Sequence, residues 1–262
     1  MRRALPLMLL AGLGAPAAAQ QLGYQDVLAA DHEVGPRLTY RAVVDPSEPD
    51  DGVRAFYGDR LEWRPQRGGD AYNWDVSAQL GGNANRLWLA TTGDGLFGGA
   101  LEYLETQALY SRPLGSGGLL LQAGLRQDFL PRPRRSYAVL GVQGNVGEPL
   151  YVGAFGFLSH KGELTGRVFA TYDFDLMPDR LILQPALEAE IAAADVPELG
   201  IGAGPVYVEA GLRLRYRLQG GIAPYVGINW ERLLGRTARF ARAAGDDVEA
   251  ANLVVGVRSY FE

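Results

Sequence analysis

The stretch VYVEAGLRLRYRL, residues 206–218, decides the fold class of this chain. Apolar side chains occupy every second position, and the positions between them carry Glu209 and three arginines, Arg213, Arg215 and Arg217. A repeat of two is typical of a β-strand, in which successive side chains point to opposite faces. The stretch is about twice as long as the strands of about 5–6 residues that are usual in soluble proteins. It therefore predicts a long strand with one apolar and one charged face.

The same alternation recurs along the chain after residue 60, between clusters of turn-forming residues. The predicted strands cover residues 60–66, 71–80, 85–92, 101–112, 119–129, 136–145, 150–159, 164–176, 180–193, 206–218, 222–234 and 252–261. Pro185 lies inside one of them and has no N–H to donate to a neighbouring strand, so a local bulge is expected there. No segment between the strands predicts a helix. The sequence thus predicts an all-β protein of about 12 strands, with 10 as the alternative.

The polar faces and the lengths of these strands distinguish a transmembrane barrel from a soluble sandwich. They carry both signs of charge, and the strands average about ten residues, whereas the strands of a soluble sandwich are short. A transmembrane barrel needs strands of about 9–11 residues, apolar outside and polar inside. The longest connections, 192–205 and 235–250, fall on one side of the predicted sheet, as is usual in outer-membrane barrels. The predicted fold is therefore an antiparallel transmembrane β-barrel of the outer membrane.

The N-terminal part of the chain differs from the barrel. Residues 1–19 read as a signal peptide, because Arg2 and Arg3 precede an apolar run that ends in small residues. Residues 20–59 lack a sustained repeat and are interpreted as a loosely ordered periplasmic arm, which leaves 60–262 for the barrel. The formal net charge of −5 gives no reason to expect nucleic acid as a partner.

The chemistry open to such a barrel lies in its interior. Nucleophilic catalysis needs a serine within reach of a base, but Ser159 and His160 are adjacent in a strand-like segment and point apart, so no enzyme is predicted. Copper prefers imidazole and thioether ligands, yet no His-x-His or Met-x-x-Met cluster occurs. The remaining candidate metal ligands are Glu105, Asp128, Asp173, Asp175, Glu188, Glu190, Glu209, Glu231 and His160. The basic side chains predicted to face the same interior are Arg126, Arg167, Arg213, Arg215, Arg217 and Arg258. Either the carboxylates form a weak cation path, or they pair with these arginines and fill the barrel.

Several segments resemble the copper resistance protein B family of Gram-negative outer-membrane proteins. They include LWLATTGDG (87–95), LQAGLRQDF (121–129), FLSHKGELTGR (157–167) and APYVGINWERLLGRTARFARAAGDD (223–247). The resemblance extends over residues 60–261. It implies an outer-membrane location, a role in copper homeostasis by binding or transport, and a copper ion as the ligand. Outer-membrane lipid, copper ions and a periplasmic copper-handling protein are the implied partners. The Met- and His-rich region that usually precedes the family's barrel is not found in the arm. A passive pore or adhesive barrel without a metal role is the alternative.

Overall fold

A computed structural model describes residues 53–65, 69–82, 84–115, 118–147, 149–178, 180–218 and 221–261. The predicted signal peptide and most of the predicted arm, residues 1–52, lie outside this part. The strands are β1 (Val53–Arg64), β2 (Ala71–Gly81), β3 (Arg86–Leu96), β4 (Leu101–Pro113), β5 (Leu119–Leu130), β6 (Arg135–Asn145), β7 (Leu150–Ser159), β8 (Leu164–Tyr172), β9 (Phe174–Met177), β10 (Leu181–Ala192), β11 (Gly204–Tyr216), β12 (Ile222–Leu233) and β13 (Glu249–Phe261). A 3-10 turn, Pro197–Leu199, and a helix, α1 (Gly235–Ala244), complete the ordered elements.

These strands form one antiparallel sheet that closes on itself. Apart from β8 and β9, each strand pairs with its neighbours in sequence, and β1 also pairs with β13. Strands β8 and β9 both pair with β10 and act as one interrupted strand, so the molecule is a 12-stranded barrel. The prediction of about 12 strands is confirmed. The end that carries connections 193–203 and 234–248 is called the long-loop end, and the opposite end, with the β6–β7 and β11–β12 turns, the short-turn end.

The first strand begins earlier than predicted. It pairs with β2 from Val53, so residues 53–59 belong to the barrel and the boundary drawn at residue 60 was wrong. The register shifts between Gly58 and Arg60, where β1 carries one extra residue. Such a bulge lets Asp59 and Arg60, adjacent in sequence, both be buried in the interior. Because the extra residue interrupts the alternation of apolar and polar residues, the sequence pattern did not predict a strand over residues 53–59.

Pro185 affects the strand beside it rather than its own. Strand β10 pairs with β11 continuously through Pro185, opposite Leu212, and its register shift lies between Glu190 and Ile191. The bulge predicted at the proline was therefore wrong. On the other side of β10, pairing stops at Ala186 and resumes at Leu183. Proline has no N–H to donate to the strand on that side. The hydrogen-bond ladder is interrupted beside Pro185, and this interruption separates β8 from β9.

The two faces of the sheet have the distribution that a membrane requires. Large apolar side chains cover the outside, among them Leu125, which is 67% exposed, together with Leu140, Val168 and Leu253. Charged and amide side chains are buried inside, and Arg167 is only 1% exposed. Lipid therefore takes the place that a hydrophobic core has in a soluble sandwich. The predicted apolar exterior and polar interior are confirmed.

Part of the interior is nevertheless aromatic. Trp88, Leu109, Tyr137, Val139, Phe155, Phe157 and Phe169 form a buried apolar cluster between β3 and β8. Two of these rings lie flat over glycines of the preceding strand, since a Cβ on Gly141 would be 2.2 Å from Phe155 and a Cβ on Gly153 would be 2.0 Å from Phe169. Only glycine leaves room for the rings at these positions. The alternation of β6 and β7 alone does not reveal this cluster, because both of their faces are apolar.

A helical cap covers the long-loop end. Helix α1 buries Thr237, Ala238 and Ala241. These pack with Val196, Ile201, Val206, Tyr207 and Leu233 from the neighbouring loop and strands. The hydroxyl of Thr237 accepts a bond of 2.9 Å from the Gly202 N–H. The prediction that no connection is helical was wrong. The N-cap residue of α1, Leu234, forms no side-chain cap, although Gly245 ends the helix in a left-handed conformation. Within the described residues, no helix is long and apolar enough to span a membrane.

Candidate functional site: the charged interior of the barrel

The interior is built from the inward-facing positions of nearly every strand. Side chains at alternate residues of β1, β2, β4, β5, β8, β10 and β11 meet there, and most are polar or charged. Several ion pairs join strands that are not neighbours in the sheet, such as Arg213 on β11 with Glu62 on β1. Such pairs reach across the barrel and narrow its interior. Because these charges are buried, the loss of one partner would leave the other uncompensated and destabilise the barrel.

The first group of charges, termed the β4–β10 cluster, consists of Glu105, Arg126, Asp128, Arg167, Glu188 and Glu190. Arg126 donates to both oxygens of Asp128 at 2.7 and 2.9 Å and lies 2.9 Å from Glu105. Arg167 lies 3.2 Å from Glu190 and 3.6 Å from Glu188. The guanidinium groups of both arginines stack on the ring of Phe157, at 4.9 and 5.2 Å from its centroid. The aromatic cluster thus holds the two cations between four carboxylates.

The second group, termed the β1–β11 cluster, is centred on Glu62. Its carboxylate accepts bonds from Arg213 at 3.1 and 3.2 Å, from Arg64 at 3.0 Å and from Tyr225 at 3.0 Å. Arg60 lies 3.9 Å from Glu62 and 4.0 Å from Glu209, and so links β1 to β11. Glu62 does not stand out in the sequence, because Arg213, which binds it across the barrel, is 151 residues away.

Further pairs lie toward the short-turn end. Arg215 lies 2.7 Å from Asp173, which also accepts a bond of 2.6 Å from Gln184. The break between β8 and β9 places Asp173 at this position. Arg258 lies 2.6 Å from Asp59 and so joins the last strand to the first.

Of the candidate metal ligands, most lie beside arginine. Glu105, Asp128, Asp173, Glu188, Glu190 and Glu209 are paired as described above, and Asp175 lies 3.7 Å from Arg217. Glu231 stands opposite Glu209 across the β11–β12 ladder. His160 is exposed at the long-loop end, and Met177 ends β9 at the short-turn end. Among the described residues, no three His, Asp or Glu side chains are grouped to hold a metal ion. Carboxylate oxygens already bound to arginine suit transient rather than tight coordination of a cation.

The cap is fastened to the barrel by an exposed group of charges. Glu198, in the β10–β11 connection, lies 2.7 Å from Arg135 on β6 and 2.9 Å from Lys161 in the β7–β8 loop. Bonds from Arg135 and Lys161 lower the pKa of Glu198 to about 2. Burial raises the pKa of Glu163, but bonds from Arg135 and Ser159 outweigh it and leave that pKa below its ordinary value. The β10–β11 connection, the β7–β8 loop and the first residue of β6 are therefore held together at neutral pH.

The Ser159 hydroxyl stabilises the β7–β8 turn in the same region. Its hydroxyl donates to Glu163 at 2.6 Å and accepts bonds from the backbone N–H groups of Lys161 and Glu163 at 3.1 and 3.2 Å. The adjacent His160 is turned away, and its Nδ1 accepts from the Ser136 N–H at 3.2 Å. The two side chains thus hold the β7–β8 turn rather than form a nucleophile and its base.

A closed antiparallel barrel with an apolar exterior and a charged interior defines a β-barrel of the outer-membrane type. The NanC porin has a similar fold, with a TM-score of 0.51 and 14% identity over 80% of this chain and all of that chain. Residues 53–261 match the family described as "Copper resistance protein B precursor", and the chain belongs to that family. It is 40% identical, over 79% of its length and 69% of the relative, to a copper resistance protein B homolog of Pseudomonas syringae pv. tomato. It is 34% identical, over 78% and 68%, to copper resistance protein B of Escherichia coli.

Proposed function

We propose that this chain is an outer-membrane barrel of a Gram-negative cell and contributes to copper resistance by interacting with copper ions in its interior. Membership of the copper resistance protein B family is the observation that carries the proposal. The apolar outer face supports the location, because a sheet with this exterior needs lipid around it.

Copper is the cargo in this proposal rather than a resident cofactor. The described interior offers carboxylate oxygens, which suit Cu²⁺ better than Cu⁺, since soft thioether and thiolate ligands favour the latter. A copper ion that enters must compete with Arg126, Arg167 or Arg213 for the same oxygens. Binding is then weak and reversible, which suits passage more than storage.

The test is copper tolerance in the host from which the chain comes. Deletion of the chain is expected to lower growth in copper and change cellular copper content, and complementation is expected to restore both. A strain that carries Ile228→Arg, which places a charge against lipid, is the control for a destabilised barrel. Unchanged tolerance after deletion would contradict the role in copper resistance.

Location is tested with single cysteines, because the natural chain has none. Asp247→Cys lies exposed at the long-loop end and Ala84→Cys lies exposed at the short-turn end. A maleimide that does not cross membranes is expected to label Asp247→Cys on intact cells and Ala84→Cys only after the outer membrane is opened. Labelling of both on intact cells, or of neither, would contradict the proposed location and orientation.

Transport is separated from binding with the purified barrel in vesicles. A copper-quenched dye inside the vesicles is expected to report entry of Cu²⁺, while an uncharged sugar of similar hydrated size enters more slowly. Binding of Cu²⁺ without entry would leave storage as the mechanism. Equal entry of the ion and the sugar would favour a passive pore.

A further inference from the structure

The wall formed by β2 and β3 differs from the rest of the interior. Four inward side chains stand there in two directly opposed pairs, Asn73 with Asp94 and Asp75 with Thr92. Directly opposed residues of an antiparallel pair have Cβ atoms about 4.5–5.5 Å apart, and diagonal neighbours lie about 7–8 Å apart. The four side chains, here called the β2–β3 rectangle, therefore occupy one small area of the wall.

Within the part of the chain that the structure describes, three members of the β2–β3 rectangle have buried polar atoms without a hydrogen-bond partner. Asp75 is 1% exposed, and neither of its carboxylate oxygens forms a hydrogen bond with a described residue. Asn73 is 3% exposed, and its amide oxygen, its amide nitrogen and the hydroxyl of Thr92 likewise have no partner among the described residues. Asp94 is buried and forms no ion pair with a described residue. Buried polar groups in folded proteins are nearly always satisfied, so this set calls for an additional ligand or ordered water.

The nearby arginines are engaged elsewhere. Arg60 stands opposite Asp75 on β1, but its ion pairs are with Glu62 and Glu209. Arg258 pairs with Asp59, and Arg64 pairs with Glu62. The β4–β10 and β1–β11 clusters match each carboxylate with arginine, whereas the β2–β3 rectangle carries two carboxylates without one. It therefore has an excess of negative charge and donors that are mainly oxygen.

We propose that the β2–β3 rectangle binds a hydrated divalent cation on its way through the barrel. The donors of the rectangle are hard oxygens, from two carboxylates, one amide and one hydroxyl, which suit a divalent cation. Water fills the remaining coordination positions of the ion. The inference rests on the proposed function for the identity of the cation as Cu²⁺, but the site itself does not depend on it.

The test measures Cu²⁺ binding by equilibrium dialysis of the purified full-length chain in detergent. Asp75→Asn is nearly isosteric and is expected to lower the affinity at least about tenfold, which corresponds to about 1.4 kcal/mol. Asn73→Asp adds a carboxylate to the same area and is expected to raise the affinity by a similar factor. Asp247→Asn removes the same charge from an exposed loop and is the matched control. Equal affinity of the wild type and Asp75→Asn, or weaker binding by Asn73→Asp, would overturn the proposal.

Resistance to urea, measured with and without divalent cations, distinguishes a loss of cation binding from a failure of the variant to assemble. Without divalent cations, Asp75→Asn is expected to withstand more urea than the wild type, because it removes an uncompensated buried charge. Added Cu²⁺ or Ca²⁺ is expected to stabilise the wild type more than the variant, since a ligand stabilises the state that binds it. If Asp75→Asn does not assemble, Asp94→Asn is measured in the same way. An equal response of wild type and variant to the cations would refute the site.

The same variants separate this site from the role in copper resistance. If the wild type restores tolerance and Asp75→Asn binds Cu²⁺ as the wild type does, the inference fails while the proposed function stands. If the wild type has no effect on tolerance but Asp75→Asn loses cation binding, the cation site stands and the proposed function fails.

Discussion

Placing one arginine on the outer face tests whether that face meets lipid. Ile228 is 55% exposed and lies near the middle of β12, about six residues from either end of the strand. With a rise of about 3.4 Å per residue and a tilt of about 40°, this places it about 15 Å from either end of the barrel wall, near the bilayer midplane. An arginine there costs about 2–4 kcal/mol, and near an interface only about 0–1 kcal/mol. Leu214 on β11 is the matched position, since it faces outward two residues before the strand ends at Tyr216.

Urea unfolding in lipid vesicles, followed by the mobility shift of the unheated barrel on a gel, measures both variants. Ile228→Arg is expected to lower the free energy of unfolding by about 2–4 kcal/mol, and Leu214→Arg by about 1 kcal/mol or less. A loss of the same size at both positions would show that depth in the membrane does not matter, and that the outer face packs on protein. No loss at either position would place these residues in water. Either result would refute the assignment of the faces.

Arg215→Leu is expected to cost about 3 kcal/mol in the same assay, because it removes the cation that lies 2.7 Å from the Asp173 carboxylate. Adding Asp173→Asn is expected to restore most of that loss, and no recovery in the double variant would contradict the pairing. Gly153→Ala is expected to destabilise the barrel by about 1–3 kcal/mol through its clash with an aromatic ring, whereas Gly156→Ala, whose new Cβ has its nearest neighbour at 3.8 Å, is expected to have little effect. Glu198 has a lowered pKa of about 2, so its contribution to the cap is complete above its unfolded pKa of about 4.3 and is lost as the pH falls through about 2. The protection of the backbone amides of residues 193–203, measured by hydrogen exchange relative to the intrinsic rate at each pH, is expected to fall over that pH range. Glu198→Gln is expected to lower this protection already at pH 7, and protection equal to that of the wild type would contradict the fastening.

Local alternation was sufficient to predict the barrel wall. In residues 72–80 of β2 and 208–216 of β11 the outward residues are apolar and nearly all the residues between them are polar, so the outward and inward faces could be assigned from sequence alone. The prediction failed where the repeat breaks. The bulge at Asp59 concealed the start of β1, and the paired apolar faces of β6 and β7 concealed the inward rings of Phe155 and Phe157.

The long-loop end was the least predictable region. Helix α1 is stabilised by packing of Ala238 and Ala241 against residues 196–207, which are distant in sequence. Its start carries no side-chain cap, so the local signals that reveal most helices were weak. Val206, which alternation placed on the lipid side, is buried under this cap rather than exposed.

The sequence by itself determined the class of protein, because strands of about ten residues with one apolar face and one face of mixed charge fit a closed sheet in lipid, whereas the strands of a soluble sandwich are short. It also supplied the interior residues as a set, Arg126 and Arg213 among them, since the parity of each strand decides which face a side chain takes. Only the tertiary structure decided which charges meet. Closure of the sheet brings Glu62 within 3.1 Å of Arg213, 151 residues away in sequence, and leaves Asp75 without a partner. Pairing across a barrel depends on the register and shear of all its strands together, and no single stretch of sequence contains that information.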